Sequence, residues 1–469
     1  MGASESRFGR FVERLAQAVG HADRAEPLRA YCVGLMLPGD RKSVEPMAAR
    51  VEPRRVSSMH QAMHHFVANA PWREEAVLAA VREWALPALE GRGGMRAWIV
   101  DDTGFPKKGK HSVGVARQYC GQLGKQDNCQ VAVSLSVANE AASLPIAFRL
   151  YLPQEWAQDE HRRRRAGVPE EVVFATKPQI ALGQIEAALG AGVAPGVVLA
   201  DAAYGNDSGF RDQLTDWKLS YVVGVQSSTT VWPPGSGPLA PEGRRRTRLR
   251  RSPEHQPVWL KALALSLPRW RYRSVTWREG SAGKLRSRFA ALRVRPAHRD
   301  TCRATPRPEE WLLIEWPAGE AEPTKYFLST LPAATSLKEL VALAKLRWRI
   351  ERDYQDMKQE LGLGHYEGRG WRGFHHHAAL AIAAYGFLGS QRSPIPPSAP
   401  AWRPKAPRPP KGFRPRGAPD QTGAPRTQLA GDPALAVRLP AHCHAAAMPV
   451  LPATRRRVRR LRTATFMTQ

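Results

Sequence analysis

RAWIVDDTGF, residues 96–105, is an apolar run that ends on two adjacent acids. Tryptophan, isoleucine and valine in succession after the GRGG cluster read as a buried β-strand, because branched and aromatic side chains fill a pleated surface. Asp101 and Asp102 then stand at the strand's end, where loops on a rigid sheet commonly carry binding and reactive groups. VGVARQY, CQVAVSLSVAN and PIAFRLYLP follow as further short runs separated by Gly, Lys and Asn turns, so four strands of one sheet are expected. KPQIALGQIEAALGAG has helical spacing and ends on glycine, and GVVLADAAYG returns as a strand that ends on Asp201. Strand, helix, strand implies a βαβ crossover and an α/β class.

Working outward, residues 1–94 are helical in pattern, with Ser57 or Ser58 as the expected cap of SSMHQAMHHFVANA. Residues 95–210 hold the strands just described. Residues 211–324 combine Arg-rich loops with short strand-like runs such as RYRSVTW, RFAALRVR and EWLLIEW, and read as a β-rich insertion. KYFLSTLP is a returning strand that opens a second core segment over 325–390. From residue 391 to 469 the chain is rich in Pro and Arg and is expected to be disordered, since such composition buries little apolar surface.

The formal charge of +28 over 469 residues favours a polyanionic partner, with nucleic acid first, through long-range fields and counterion release. The five cysteines form no C-x-x-C pair, which points away from a zinc ribbon or a disulfide framework. The N-terminus lacks the apolar core of a signal peptide and no run is long enough to span a bilayer, so a cytoplasmic, nucleoid-associated protein is expected.

TSLKELVALAKLRWRIERDYQDMKQELGLG carries Ser336 and Glu339 at capping-box spacing, which predicts a helix from Leu337 that stops at Gly362 or Gly364. Leu343, Leu346, Ile350, Tyr354, Met357 and Leu361 form a stripe about 80° wide that should face the core. Arg347, Glu351 and Lys358 fall within roughly 40° of one another beside it. An ordinary i,i+4 ion pair would explain Arg347 and Glu351 alone. Asp101 or Asp102, Asp201 and Glu351 together supply three carboxylates, and without Cys or His partners such a set suits magnesium or manganese. Two such ions about 4 Å apart activate an attacking oxygen and stabilise the leaving oxygen of a phosphodiester.

These residues resemble the DDE insertion-sequence transposases with a ribonuclease-H-like core, in the branch with a Tyr-x2-Arg-x3-Glu-x6-Lys signature. DDTGFPKKGKHSVGVARQYCGQLGK and LADAAYGND look like the family's two Asp segments, and Arg347, Glu351 and Lys358 match the last three signature positions. The resemblance implies a ribonuclease-H-like mixed sheet with flanking helices, interrupted by a β-rich insertion and preceded by a helical DNA-binding domain. It implies Asp102, directly before Thr103, as the first catalytic and metal-binding acid, with Asp101 turned to the opposite face, and Asp201 and Glu351 as the second and third. Two Mg2+ ions, or Mn2+, terminal inverted repeats and target DNA as substrates, and a homodimer on DNA are implied with them. The signature's Tyr falls on Ala344, so a catalytically decayed DNA-binding protein or repressor is the rival expectation.

Lys107, Lys108, Lys110 and His111, in an expected hairpin, and Arg117 are candidate phosphate contacts. The runs Arg162–Arg165 and Arg244–Arg246 are expected to touch DNA non-specifically at most. Six insertion tryptophans (232, 259, 270, 277, 311 and 316) are expected mainly in sheet core, and His375, His376 and His377 in packing and surface roles rather than a metal site.

Overall fold

The computed structural model describes residues 3–91, 93–242, 247–280 and 283–392. Arg244–Arg246 and residues 393–469 lie outside the described residues. Five helices lead the chain: α1 (Ala3–Val19), α2 (Ala25–Met36), α3 (Val44–Val51), α4 (Val56–Ala68) and α5 (Glu74–Glu90). Four strands follow, β1 (Ala97–Pro106), β2 (Ala116–Cys120), β3 (Lys125–Ala138) and β4 (Ser143–Leu150), and then α6 (Gln154–Ala157), α7 (Glu160–Ala166) and α8 (Lys177–Gly190). Next come β5 (Val197–Ala200), α9 (Ala202–Gly205), α10 (Ser208–Asp216), β6 (Tyr221–Val225), β7 (Thr230–Trp232), β8 (Val258–Trp259) and α11 (Leu260–Ser266). The remaining elements are β9 (Arg273–Gly280), β10 (Gly283–Pro296), β11 (Glu310–Trp316), β12 (Lys325–Ser329), α12 (Leu337–Leu346), α13 (Trp348–Gln359) and α14 (Trp371–Arg392).

The result is a mixed α/β architecture with flanking helices on one large sheet. Its strand order is β2-β3-β1-β5-β6-β12-β11-β10-β7-β8, with β4 on β3 and β9 on β10. β1 pairs antiparallel with β3 and parallel with β5, which pairs parallel with β6. The apolar run Trp98–Val100 is fully buried because β1 lies in the middle of this order. The strands expected as an insertion do not stand apart: β10 and β11 continue the main sheet through β12, which pairs antiparallel with β6.

The helical N-terminal segment shares its core with the rest. Phe11, Tyr31, Phe66 and Val81 belong to the same buried cluster as Trp98, Ile350 and Leu380. α14 is the common support, since its HHHAALAIAA stretch is buried along its whole length, as expected of a helix apolar on every face. Its small residues let neighbours approach closely; a Cβ on Gly386 would lie 2.9 Å from the Val81 Cγ1 of α5. No helix among the described residues, α14 included, is long and apolar enough to cross a membrane.

Two local expectations change. α4 starts at Val56 with Arg55 in the cap position and no side-chain cap, so Ser57 and Ser58 lie inside its first turn. The three histidines are all buried, none at the surface. His375 accepts from the Leu150 N–H (3.1 Å) and donates to the Trp371 carbonyl (2.9 Å). His377 accepts from the Tyr31 hydroxyl (2.8 Å) and donates to the Gly362 carbonyl (3.0 Å). His376 sits between the Val67 and Trp72 carbonyls, stacked on the Trp72 ring. Each ring ties α14 to a different segment, because consecutive helical side chains diverge.

Burial pushes His375 and His377 down to about 4. The unfolded chain takes up these protons below the ordinary value of 6.5, so their stabilisation is complete above that pH and is lost as the pH falls toward 4. Buried carboxyls such as Asp353, pushed up to about 6 by burial, change in the opposite sense. The informative quantity is therefore a difference. The stability advantage of the wild type over His377→Gln, measured by denaturant unfolding, should shrink by up to ~3 kcal/mol between pH 6.5 and 4; a constant difference would contradict this assignment.

Candidate active site

The last pair of the β1/β5 ladder is Ile99 with Leu199. Two residues further along each strand the same register brings Asp101 beside Asp201, and residues in register on neighbouring parallel strands point to the same face. On the other side of β1, Asp101 lies opposite Ser134 of β3. Ser134, Asp101 and Asp201 thus form a row on one face of the sheet.

α12 and α13 cover that face. α12 begins where predicted, with the Ser336 side chain accepting from the Glu339 N–H. The six stripe residues from Leu343 to Leu361 are all buried. The helix is broken rather than continuous: Arg347 separates α12 from α13. The Tyr354 hydroxyl meets Ser134 Oγ at 2.7 Å, which docks α13 directly over the row. Behind it, the buried Asp353 accepts from Ser143 of β4 and from Tyr385 of α14.

At the break, Arg347 donates to Asp101 at 2.5 Å and to Glu351 at 3.1 Å. One guanidinium therefore bridges an acid on β1 and an acid on α13, and it also feels the charge of Asp201. Glu351 is the exposed member, with 62% of its side chain accessible. Asp201 is held by its own turn, accepting from the Ala203 N–H as the cap of α9. That turn packs against β6 so closely that a Cβ on Gly205 would overlap the Gly224 carbonyl.

Asp102 is turned the other way. It lies opposite Val133, whose carbonyl accepts from Gln184 of α8. Lys177, the first residue of α8, donates to Asp102 at 2.9 Å, and the Tyr204 hydroxyl lies 3.5 Å away. Alternation does separate the two acids, as the sequence predicted, but Asp101 is the one placed with Arg347, Glu351 and Asp201.

Burial drives the Asp101 carboxyl up to about 7; Arg347 pulls it down while Asp201 and Asp102 raise it further. A carboxyl crowded by two like charges and offset by one cation is an arrangement common at reactive sites. Lys358, on the last turn of α13, donates to the Gly104 carbonyl (2.7 Å) and to Gln122 (3.0 Å), and burial lowers it to about 8. Arg347 and Lys358 thus reach the end of β1, and Glu351 reaches Arg347. Ala344 is buried in the core of α12.

The other candidates divide. Lys107 is tied to the Tyr366 carbonyl at 2.9 Å, whereas Lys108, Lys110, His111 and Arg117 are exposed. Residues 107–115 form an irregular loop, with β2 starting only at Ala116. Of the six tryptophans, Trp232 is buried against Asp300, while Trp259 and Trp270 are 64% and 71% exposed. Arg278 of β9 stacks on Trp348 at 4.0 Å, joining the added strands to α13. The sequence signalled neither Lys177 nor Tyr204 as a neighbour of the site. Thr176 and Gln179 do form a capping box around Lys177, which marks a helix start and nothing about what lies beside it.

A family model described as DDE superfamily endonuclease matches residues 14–284, more than half of the chain. The chain belongs to that superfamily. The span matched by the DDE endonuclease model takes in Asp101, Asp102 and Asp201, and Glu351 lies beyond it. The chain is also 35% identical over 172 residues to a protein of Microchaete diplosiphon named "Probable transposase for insertion sequence element IS701". That similarity covers 36% of this chain and 42% of the relative's length.

Removing the bridging cation should act on Asp101 directly. Arg347→Gln is expected to raise the Asp101 carboxyl above its value near 7, since only the Asp102 N–H then remains to oppose burial and the neighbouring acids. Carboxyl carbon NMR on aspartate-labelled protein, assigned with Asp101→Asn, reads the shift; an unchanged titration would show that Arg347 and Asp101 are not partners.

Proposed function

We propose that this DDE endonuclease-superfamily chain is a transposase that cuts DNA at the ends of an insertion element and joins the freed 3′ ends to a target. The observation that carries this reading is the convergence of Asp101, Asp201 and Glu351 on one guanidinium at the end of the central strand. The strand order and directions of β4, β3, β1, β5 and β6 support a ribonuclease-H-like core, and the basic charge supports DNA as the partner.

Among the described residues no three His, Cys, Asp or Glu side chains already stand within shared metal-binding reach. Arg347 takes the cation's place between Asp101 and Glu351, and the donor set, carboxylate oxygens alone, fits a hard divalent ion. Asp101, Asp201 and Glu351 would hold Mg2+ or Mn2+, which in two-ion sites activates water and stabilises the leaving oxygen of a phosphodiester. In this assignment Asp101 replaces Asp102 as the first acid. Arg347, released from its bridge, and Lys358 orient the scissile phosphate and offset its developing charge. Lys177 holds Asp102 away from that centre. The exposed Trp259 and Trp270 offer stacking surfaces for an unpaired base. The N-terminal helices contribute to DNA binding, and two copies act on paired ends.

Nicking of a duplex that carries the element's end tests the assignment. Asp101→Asn, Asp201→Asn and Glu351→Gln should each lower metal-dependent cleavage by roughly two orders of magnitude or more, and Asp102→Asn by much less. Full activity in Asp201→Asn or Glu351→Gln would sink the reading. Loss in Asp102→Asn with activity kept in Asp101→Asn would return the first position to Asp102.

A further inference from the structure

A cavity of about 180 Å³ lies where the loop after β1, helix α7 and the segment after α13 meet. Its wall is formed by Lys110, His111, His161, Arg162, Arg165 and Arg369 around Trp156. None of these six basic groups is in an ion pair among the described residues. Asp159, the N-cap of α7, accepts from the Arg162 N–H, and Glu160 faces Arg164 at 3.9 Å.

A solvated charge run would not look like this. Trp156 is 2% exposed and its indole N–H is fixed on the Val115 carbonyl at 2.8 Å. Its ring face carries the Arg162 guanidinium at 3.8 Å, so that cation is held in place by stacking. Three segments distant in sequence bring Lys110, Arg162, Arg165 and Arg369 together around a fixed aromatic floor, against their mutual repulsion, with no acid paired to them among the described residues. Such an arrangement becomes favourable when an anion with several acceptor oxygens enters it, because arginines hold phosphate oxygens in a forked geometry.

We propose that this cavity is a seat for one backbone phosphate of the bound DNA, outside the carboxylate centre. The inference rests on the transposase reading for its choice of polyanion. β1 and α13, which carry Asp101 and Glu351, each run on into a segment that lines the cavity. From Asp101 to Lys110 the chain can extend at most ~31 Å. The seat therefore lies no more than about nine base pairs, at ~3.4 Å per pair, from a phosphate held at the acids.

The test uses the full chain with Asp201→Asn, which keeps the DNA uncut, and fluorescence anisotropy on the element's end over a series of sodium chloride concentrations. Arg165→Ala combined with Arg369→Ala should weaken binding roughly tenfold and flatten the log–log salt slope by about one, the signature of one lost phosphate contact. Arg165→Lys with Arg369→Lys should keep the slope. A duplex that ends at the cleavage point, with no pairs on that side, should bind the wild type and the alanine pair alike. Both arginines are exposed, and unchanged circular dichroism and melting confirm the fold.

Equal slopes on the long duplex would overturn the proposal, as would an alanine effect that persists on the short one. Stabilisation by inorganic phosphate alone, with the DNA slope unchanged, would make the cavity a site for free phosphate and likewise overturn it. DNA bound with the predicted slope change but never cut by the wild-type chain would leave the seat standing and remove the transposase reading instead.

Discussion

The parallel pairing of β1 with β5 is the constraint on which the site depends. It sets Asp101 and Asp201 side by side, from strands separated by the whole of β2, β3, β4, α6, α7 and α8. A slip of one residue would exchange Asp101 for Asp102 and turn the acid toward α8 and Lys177. The register is held by apolar packing on both faces of β1, where Trp98, Ile99 and Val100 have no exposure. It is held also by the ten-residue antiparallel ladder to β3. Burying these side chains contributes ~1.5–3 kcal/mol each, far more than any exposed ion pair at the site.

Bringing acids together costs electrostatic energy, and Arg347 offsets it. Its position at the break between α12 and α13 lets it reach down to β1 and forward to Glu351 at once. The same helix is anchored from behind by Tyr354 on Ser134 and by Asp353 on Ser143 and Tyr385. These buried hydrogen bonds fix the pitch of α13, and with it the reach of Glu351 and Lys358. Where the signature would place Tyr, Ala344 fits a packed core position, and Tyr354 supplies a hydroxyl to the sheet instead.

Much of this was legible in the sequence, for identifiable reasons. Alternation and turn residues marked β1, β3, β4 and β5. The capping spacing at Ser336 and the stripe from Leu343 to Leu361 located the buried face of α12 and α13, and Arg347, Glu351 and Lys358 beside it. What was not legible depends on packing in three dimensions. That Asp101 and not Asp102 lies beside Asp201 and Arg347 depends on the β5 register and on the side of the sheet that α13 covers, and neither is encoded within ten residues of the acids. The break at Arg347 follows no glycine or proline, so helical periodicity ran straight through it. The insertion's strands read correctly as strands, yet their joining of the main sheet rests on long-range pairing through β12. Trp156 and Arg369 gave no sign that they would line one cavity, since nothing local links α6 to the segment after α13.

We propose that Asp101, Asp201 and Glu351 form one cation site, which the Arg347 guanidinium fills in the free protein. Crystals of the chain soaked in manganese, with anomalous diffraction collected above the metal edge, test it most directly. A peak bounded by Asp101, Asp201 and Glu351, with the Arg347 guanidinium displaced from its bridge, is expected. A peak on Asp102 with the Arg347 bridge intact would contradict it.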